Sequence, residues 1–303
     1  MIQYFHLKCK KSVETMKRDY FKYIFALLLF GSNGIVASSI DLSSHQIVLL
    51  RTLIGSLLLI VLFFLTGNRV SFYRKPKDFL FLCFSGIAMG TSWMFLYEAY
   101  REIGVSIASL CYYCGPVIVM ILSPLLFRER LTLVKVIGFV AVFTGIFLVN
   151  GREAGAGENK WGLFCGLMSA VMYAFMVIFN KKVKRIEGFE NAMLQLFVSF
   201  LTVAVFMTAT GKLRFTIPES SILPMLVLGL VNTGIGCYFY FSSIGSLPVQ
   251  TVAVCGYLEP LSAVIFSVVI LKEYMSPVQI IGAALILGGA IFGECVQMKH
   301  KKA

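Results

Sequence analysis

The chain has 303 residues, 58% of them hydrophobic and 14% charged, with a formal net charge of +12. Soluble domains carry about 25% charged residues. Here apolar runs near membrane length recur from end to end with no linker or low-complexity tract between them, which excludes a soluble enzyme or binding module and points to a polytopic membrane protein.

In chain order, residues 1–22 form a basic N-terminus with Lys8, Lys10, Lys11, Lys17, Arg18 and Lys22. A positive region before an apolar run resembles a signal peptide, but it is long and no A-x-A site follows, so the first run is read as a retained helix. Ten helices are predicted, over 23–40, 46–65, 78–99, 105–126, 131–150, 161–180, 190–210, 222–242, 248–271 and 276–295. Residues 296–303 form a basic tail. The fold class expected is all-α integral membrane, with essentially nothing outside the bilayer.

Gly104 to Phe147 is written twice. A shift of 144 positions lays it on Pro248 to Ile291 without a gap, matching Cys111 with Cys255, Tyr113 with Tyr257, Pro116 with Pro260, Glu129 with Glu273, Gly138 with Gly282 and Gly145 with Gly289. Each copy reads as an apolar helix broken by proline, a short charged turn, and a second apolar helix with spaced glycines. Such a repeat in an apolar chain predicts a transporter of two halves, 23–150 and 161–295.

With the N-terminus inside, the inside segments carry 20 Lys and Arg against 6 in the outside loops, and Arg51 within a helix completes the 27. Taken in a cell (inner) membrane, which is the expected location, the excess predicts both termini in the cytoplasm. It also accounts for the net charge without a nucleic-acid partner. Each half has an odd number of helices, so the second copy is inverted, which gives two nearly equivalent conformations and hence alternating access.

The chain resembles the drug/metabolite transporter superfamily, in particular its EamA-type ten-helix members. The resemblance rests on Phe30-Gly31-Ser32-Asn33-Gly34 with Arg51, on Gly115-Pro116 followed by Leu126-Phe127-Arg128-Glu129 and Ile137-Gly138, and on Leu258-Glu259-Pro260 followed by Leu271-Lys272-Glu273, Gln279 and Gly282. It covers Tyr23 to Glu294. It implies a secondary transporter, commonly an exporter of amino acids, other small metabolites or drugs, with no catalytic residues and no bound cofactor. It also implies a cavity between the halves lined by helices one, three, four, six, eight and nine. The halves differ at one chemical position: Glu259 precedes the second proline where Gly115 precedes the first.

Glu259 is the sharpest site candidate. An ionised, unpaired carboxylate mid-helix costs several kcal/mol, so it must be neutral, paired or facing water. It suits proton coupling or contact with a substrate amine, or else a protonated side chain bonded to a neighbouring helix. Pro116 and Pro260 free the carbonyls of Tyr112 and Gly256, which suits a broken helix lining a path as well as a simple kink. Arg51, a turn or so inside the outer end of its helix, suits snorkelling to the interface, or gating and contact with a substrate anion. Glu98 is expected at the interface.

Asn33 and Asn232, each set among glycines, suit helix packing or pocket lining, as do Gln195 and Gln250. Tyr97, Tyr112, Tyr113, Tyr173, Tyr238, Tyr240 and Tyr257 fall in helix interiors. Aromatic walls with a few polar groups suit a moderately hydrophobic small molecule, such as an amino acid with an apolar side chain. Cys111 and Cys114 form a C-x-x-C inside an apolar helix and are read as packing residues. The glycines of helices five and ten are read as helix contacts, within a monomer or across a homodimer.

No phosphate loop of the G-x-x-x-x-G-K-[ST] type is present, so ATP is not expected to drive transport, and His6, His45 and His300 lack metal-ligand spacing. The expected partners are a small-molecule substrate and the lipid bilayer. Drug or lipophilic-cation efflux is the alternative within the class. An intramembrane enzyme or a non-transporting receptor is the alternative outside it.

Overall fold

The computed structural model describes residues 2–115, 118–119, 122, 137–138, 140–145, 148, 159–186, 188–213, 215–244, 255–256 and 258–300. Helix α1 spans Ile2–Gly31 and continues as α2, Asn33–Ser38. It begins far earlier than the predicted residue 23, because no glycine or proline interrupts residues 2–30 and lysine and glutamate are good helix formers. Helix α3 spans Ser44–Leu65. Its start is set by a capping box, in which the Ser43 N–H donates to Gln46 Oε1 at 2.9 Å and the Ser43 side chain caps in return.

Helix α4 spans Pro76–Tyr112 and joins two predicted helices. A straight helix of 37 residues would be about 55 Å long, far beyond a hydrocarbon core of about 30 Å. The backbone leaves helical geometry at Gly104, at φ 76 and ψ 165. A side chain there would be strained at that φ. The predicted loop after residue 99 is thus reduced to a break at this glycine.

Helices α5, Lys160–Lys182, and α6, Gly188–Ala209, form a hairpin close to the predicted bounds. The predicted eighth helix is composite. Helix α7, Glu219–Leu226, passes into a π-helical segment, Val227–Ile235, and then into α8, Gly236–Ile244. The ninth holds α9, Leu258–Phe266, followed by a π-helical segment, Ser267–Leu271. Helix α10 spans Pro277–His300 and also starts at a capping pair, the Ser276 N–H donating to Gln279 Oε1 at 2.9 Å. Among the described residues there is no strand. Among the described residues six helices are long and apolar enough to cross a membrane, with shorter apolar helices at Leu258–Leu271 and Pro277–Gly289.

Polar glue joins the helices. Ser92 Oγ donates to Ser169 O at 2.7 Å, Ser85 Oγ to Met176 O at 2.8 Å and Ser199 Oγ to Gly86 O at 2.8 Å, tying α4 to α5 and α6. With no hydrophobic force between helices in lipid, such bonds and close backbone approach hold a bundle together. Large apolar side chains such as Leu57, Val61, Phe64, Val205, Leu223 and Val269 point outward. In water this belt would be a liability; against lipid tails it is the outer wall of the bundle.

Helical residues 137–138 and 140–145 meet α10 through glycine. A Cβ on Gly145 would lie 2.6 Å from Gly282 O, and one on Gly289 would lie 2.9 Å from Gly138 O. Cys111 and Cys114 are buried, and Cys111 packs its Cβ against Gly166, which fits small packing residues.

Candidate functional site

Three elements bring polar groups into the apolar interior: the joint between α1 and α2, the π-helical segment Val227–Ile235, and α9. At the first, Asn232 Nδ2 donates to Leu29 O and Ser32 Oγ, each at 2.9 Å, with Asn33 Oδ1 at 3.2 Å. The two predicted asparagines therefore meet, and Asn232 is held by backbone and side chain together. The π-helical turn sets this register. Thr233 Oγ1 donates to Leu228 O, five residues back, at 2.7 Å. The widened turn directs Asn232 to α1 and its neighbour Thr233 to α3. Such bulges occur often at functional sites.

Thr233 meets Arg51. Arg51 is 1% exposed and is the largest fully buried side chain among the described residues, so it does not snorkel. Arg51 Nε donates to Thr233 Oγ1 at 3.0 Å, and Nη1 donates to Tyr97 Oη. The guanidinium carbon lies 4.4 Å from the Trp93 ring centre and 5.0 Å from that of Tyr97. Snorkelling fails because α3 carries Arg51 nearly two turns below its capped start, on the face turned to α4 and the π-helical segment. There the aromatic faces offer the cation a local partner.

Glu259 lies at the start of α9, where α1 packs tightly. A Cβ on Gly31 would sit 2.0 Å from Ser262 Oγ and 2.8 Å from Glu259 O, so only glycine permits this approach. Pro260 is buried. The Tyr23 hydroxyl lies 3.8 Å from the position of a Cβ on Gly256.

Around the Glu259 carboxyl stand tyrosines of three helices, α1, α4 and α8. The neighbouring hydroxyls are those of Tyr23, Tyr100, Tyr112, Tyr113 and Tyr240. Tyr112 packs edge-on against Tyr113 at 5.3 Å and against Tyr173 at 5.1 Å, and Tyr23 packs at a tilt against Tyr240 at 5.5 Å. Tyr113 Oη is buried without a hydrogen bond of normal geometry, although the Glu259 carboxyl is close enough to influence it. Arg51 is within electrostatic reach of the same carboxyl. Glu259 itself keeps part of its surface accessible. Among the described residues, Glu259 and Arg51 thus bring an acid and a base within a wall of aromatic rings, features that suit a small-molecule site.

The other sequence candidates divide. Tyr112, Tyr113 and Tyr173 gather with Glu259. Tyr97 serves Arg51. Tyr238 lies apart from this group, packing on Phe189 at 4.9 Å with Lys22 Nζ 5.8 Å over its ring. Gln195 is used within the α5–α6 hairpin, where it accepts from Asn180 Nδ2 at 2.5 Å. Pro116, Tyr257 and Gln250 lie outside the described residues. Sequence reasoning missed Tyr23, Tyr100 and Trp93. Tyr23 follows the basic N-terminus and Tyr100 adjoins Arg101, so position in the sequence does not set either apart from an interface aromatic. Among the described residues no group of three or more His, Cys, Asp or Glu is placed to hold a metal.

The comparisons with known proteins agree with this architecture. One solved crystal structure superposes with a TM-score of 0.66 at 19% identity, covering 94% of this chain and 99% of the other; at that identity it bears on fold alone. The "uncharacterized transporter YxxF" of Bacillus subtilis is 22% identical over 88% of this chain and 86% of its own length. The "uncharacterized inner membrane transporter YicL" of Salmonella typhimurium is 22% identical over 91% and 95%. "Solute carrier family 35 member F5" of Macaca fascicularis is 27% identical over 60% of this chain and 46% of its own length. The sequence model of the EamA-like transporter family matches residues 20–151 and again residues 160–293. With its apolar helices, broken interior segments and this double match, the chain is a multi-pass membrane protein that belongs to the EamA-like transporter family.

Proposed function

We propose that the chain is a secondary transporter in which two inverted five-helix halves, 23–150 and 161–295, alternate access to a solute held near Glu259. The observation that carries this reading is the Glu259 carboxyl itself, set inside the helices among tyrosines of α1, α4 and α8. An intramembrane acid is costly to retain and marks a substrate or proton path. The glycine contacts support the inverted halves. Gly145 meets Gly282 while Gly289 meets Gly138, and the 144-residue shift turns the first pair into the second with its partners exchanged. Reciprocal contacts of this kind arise about a two-fold axis.

The solute is a small organic metabolite, an amino acid or a relative, and the direction is export. The wall of tyrosines accepts an apolar side chain, and Glu259 accepts an amine or a proton. Efflux of a lipophilic cation is the second reading, favoured by the tyrosine rings around a carboxylate, which also suit a cation.

The test is flux in proteoliposomes for amino acids and lipophilic cations, with and without a pH gradient, for the native chain and Glu259→Gln. Gradient-driven flux of one class, lost in the variant, is expected. Flux indifferent to both the gradient and the substitution would remove proton coupling. Absence of flux for every solute would leave a receptor or an intramembrane enzyme.

A further inference from the structure

Arg51 is a buried cation that the helices around it do not satisfy. A guanidinium has five N–H donors and cannot shed its charge. Two are engaged, by the hydroxyls of Thr233 and Tyr97. Nη2 is buried and has no hydrogen-bond partner among the described residues. No carboxylate of the described residues pairs with Arg51; its charged neighbour within electrostatic reach is Glu259. Both residues that engage it are neutral and hold it in place: Thr233 through the π-helical turn, and Tyr97 from α4. Trp93 and Tyr97 cover it with aromatic faces. Packing alone does not need this charge, since a neutral residue would avoid the desolvation cost and leave no orphan donor. A guanidinium held by two neutral hydroxyls, with Nη2 unused, is arranged to take an oxyanion.

We infer that Arg51 is the docking point for a carboxylate of the transported solute, bound through its Nη2 edge. The inference rests on the transport reading and deepens it. A solute with a carboxylate at Arg51 and an amine towards Glu259 is an amino acid in its zwitterionic form, whose side chain lies against the tyrosines. Charge balance supports this pairing, because a zwitterion adds no net charge to a site that already holds one acid and one base. A purely cationic solute would leave the guanidinium unsatisfied and place a second positive charge near it.

Trp93 gives a direct readout, because its ring lies 4.4 Å from the guanidinium carbon. The chain has two tryptophans, so Trp161→Phe leaves Trp93 as the sole indole. The full chain bearing that substitution, purified in detergent, is titrated with alanine, valine and leucine, with the amines obtained by removing their carboxylates, and with sodium chloride. A saturable change in Trp93 emission is expected for at least one amino acid, with affinity roughly ten- to a hundredfold above that of its amine. Arg51→Gln should erase this difference. Arg51→Lys, which keeps the charge but not the fork, should reduce it, and it carries the test if the glutamine variant does not fold.

Equal responses to amino acid and amine would overturn the inference. So would a response unchanged by either Arg51 variant, no response to any amino acid, or saturation by chloride alone, which would mark a site for inorganic anions. Flux without Arg51-dependent binding would keep the transporter and remove this inference. Arg51-dependent binding without flux in liposomes would do the reverse.

Discussion

At the residue scale, the site is defined by a few side chains whose neighbours forbid substitution. Gly31 shows this most sharply, since a Cβ would fall 2.0 Å from Ser262 Oγ and 2.8 Å from Glu259 O. The backbone oxygen cannot be moved by a rotamer change. Gly31→Leu should therefore push α1 off α9, lowering thermal stability in detergent by the order of 1–3 kcal/mol, as overpacking does, and reducing flux with it. Asn232→Leu tests a different principle. It removes the donor that Ser32 Oγ and Leu29 O share, and interhelical bonds of this kind are worth roughly 0.6–2 kcal/mol in membranes. A fall in melting temperature with flux preserved would make Asn232 a packing residue; lost flux in a stable variant would place it on the solute path. Glu259 and the asparagines were legible as residue types, because an acid or amide within an apolar run stands out. The environment of Arg51 was not legible, since whether a cation near a helix end snorkels depends on what packs above it.

At the element scale, the breaks matter more than the regular helices. Glu273 accepts from the N–H groups of Val105 and Ser106 at 2.8 and 2.9 Å and from Ser106 Oγ at 2.6 Å. It thereby caps the helical turn that restarts after Gly104. A carboxylate at a helix N-terminus satisfies orphan donors and complements the dipole. Glu273→Ala should cost roughly 1–2 kcal/mol, read as a lowered unfolding temperature, whereas Glu273→Gln should cost less, since its amide oxygen still accepts. Indifference of stability to both would show that the cap is dispensable. Most of the spans were legible as apolar runs near 20 residues. The merging of the predicted third and fourth helices across Gly104 was not, because a single positive-φ glycine replaces the expected loop. The two π-helical segments were not legible either. An extra residue per turn leaves no mark on an apolar stretch, yet it sets which side chain of the Asn232–Thr233 pair faces α1 and which faces α3.

At the scale of the whole molecule, orientation is the proposal most open to test. In a background without native cysteines, Arg74→Cys and Lys212→Cys place thiols in exposed loops predicted to lie on opposite sides of the membrane. An impermeant maleimide added to intact cells should label Lys212→Cys and leave Arg74→Cys unlabelled until the membrane is opened. The reverse pattern would put the N-terminus outside. By itself the sequence determined the membrane class, the position of most helices and the 144-residue repeat, because hydrophobic run length and self-similarity are one-dimensional properties. It also singled out Glu259, because charge within an apolar run is visible without coordinates. Only the tertiary structure decided that Arg51 is buried against Trp93 and Tyr97, that Tyr23 and Tyr100 join the interior while Tyr238 packs elsewhere, and that Gly31 touches α9. Those outcomes turn on which helix faces meet, and the faces meet through glycine contacts and single hydrogen bonds between residues as far apart in sequence as Arg51 and Thr233.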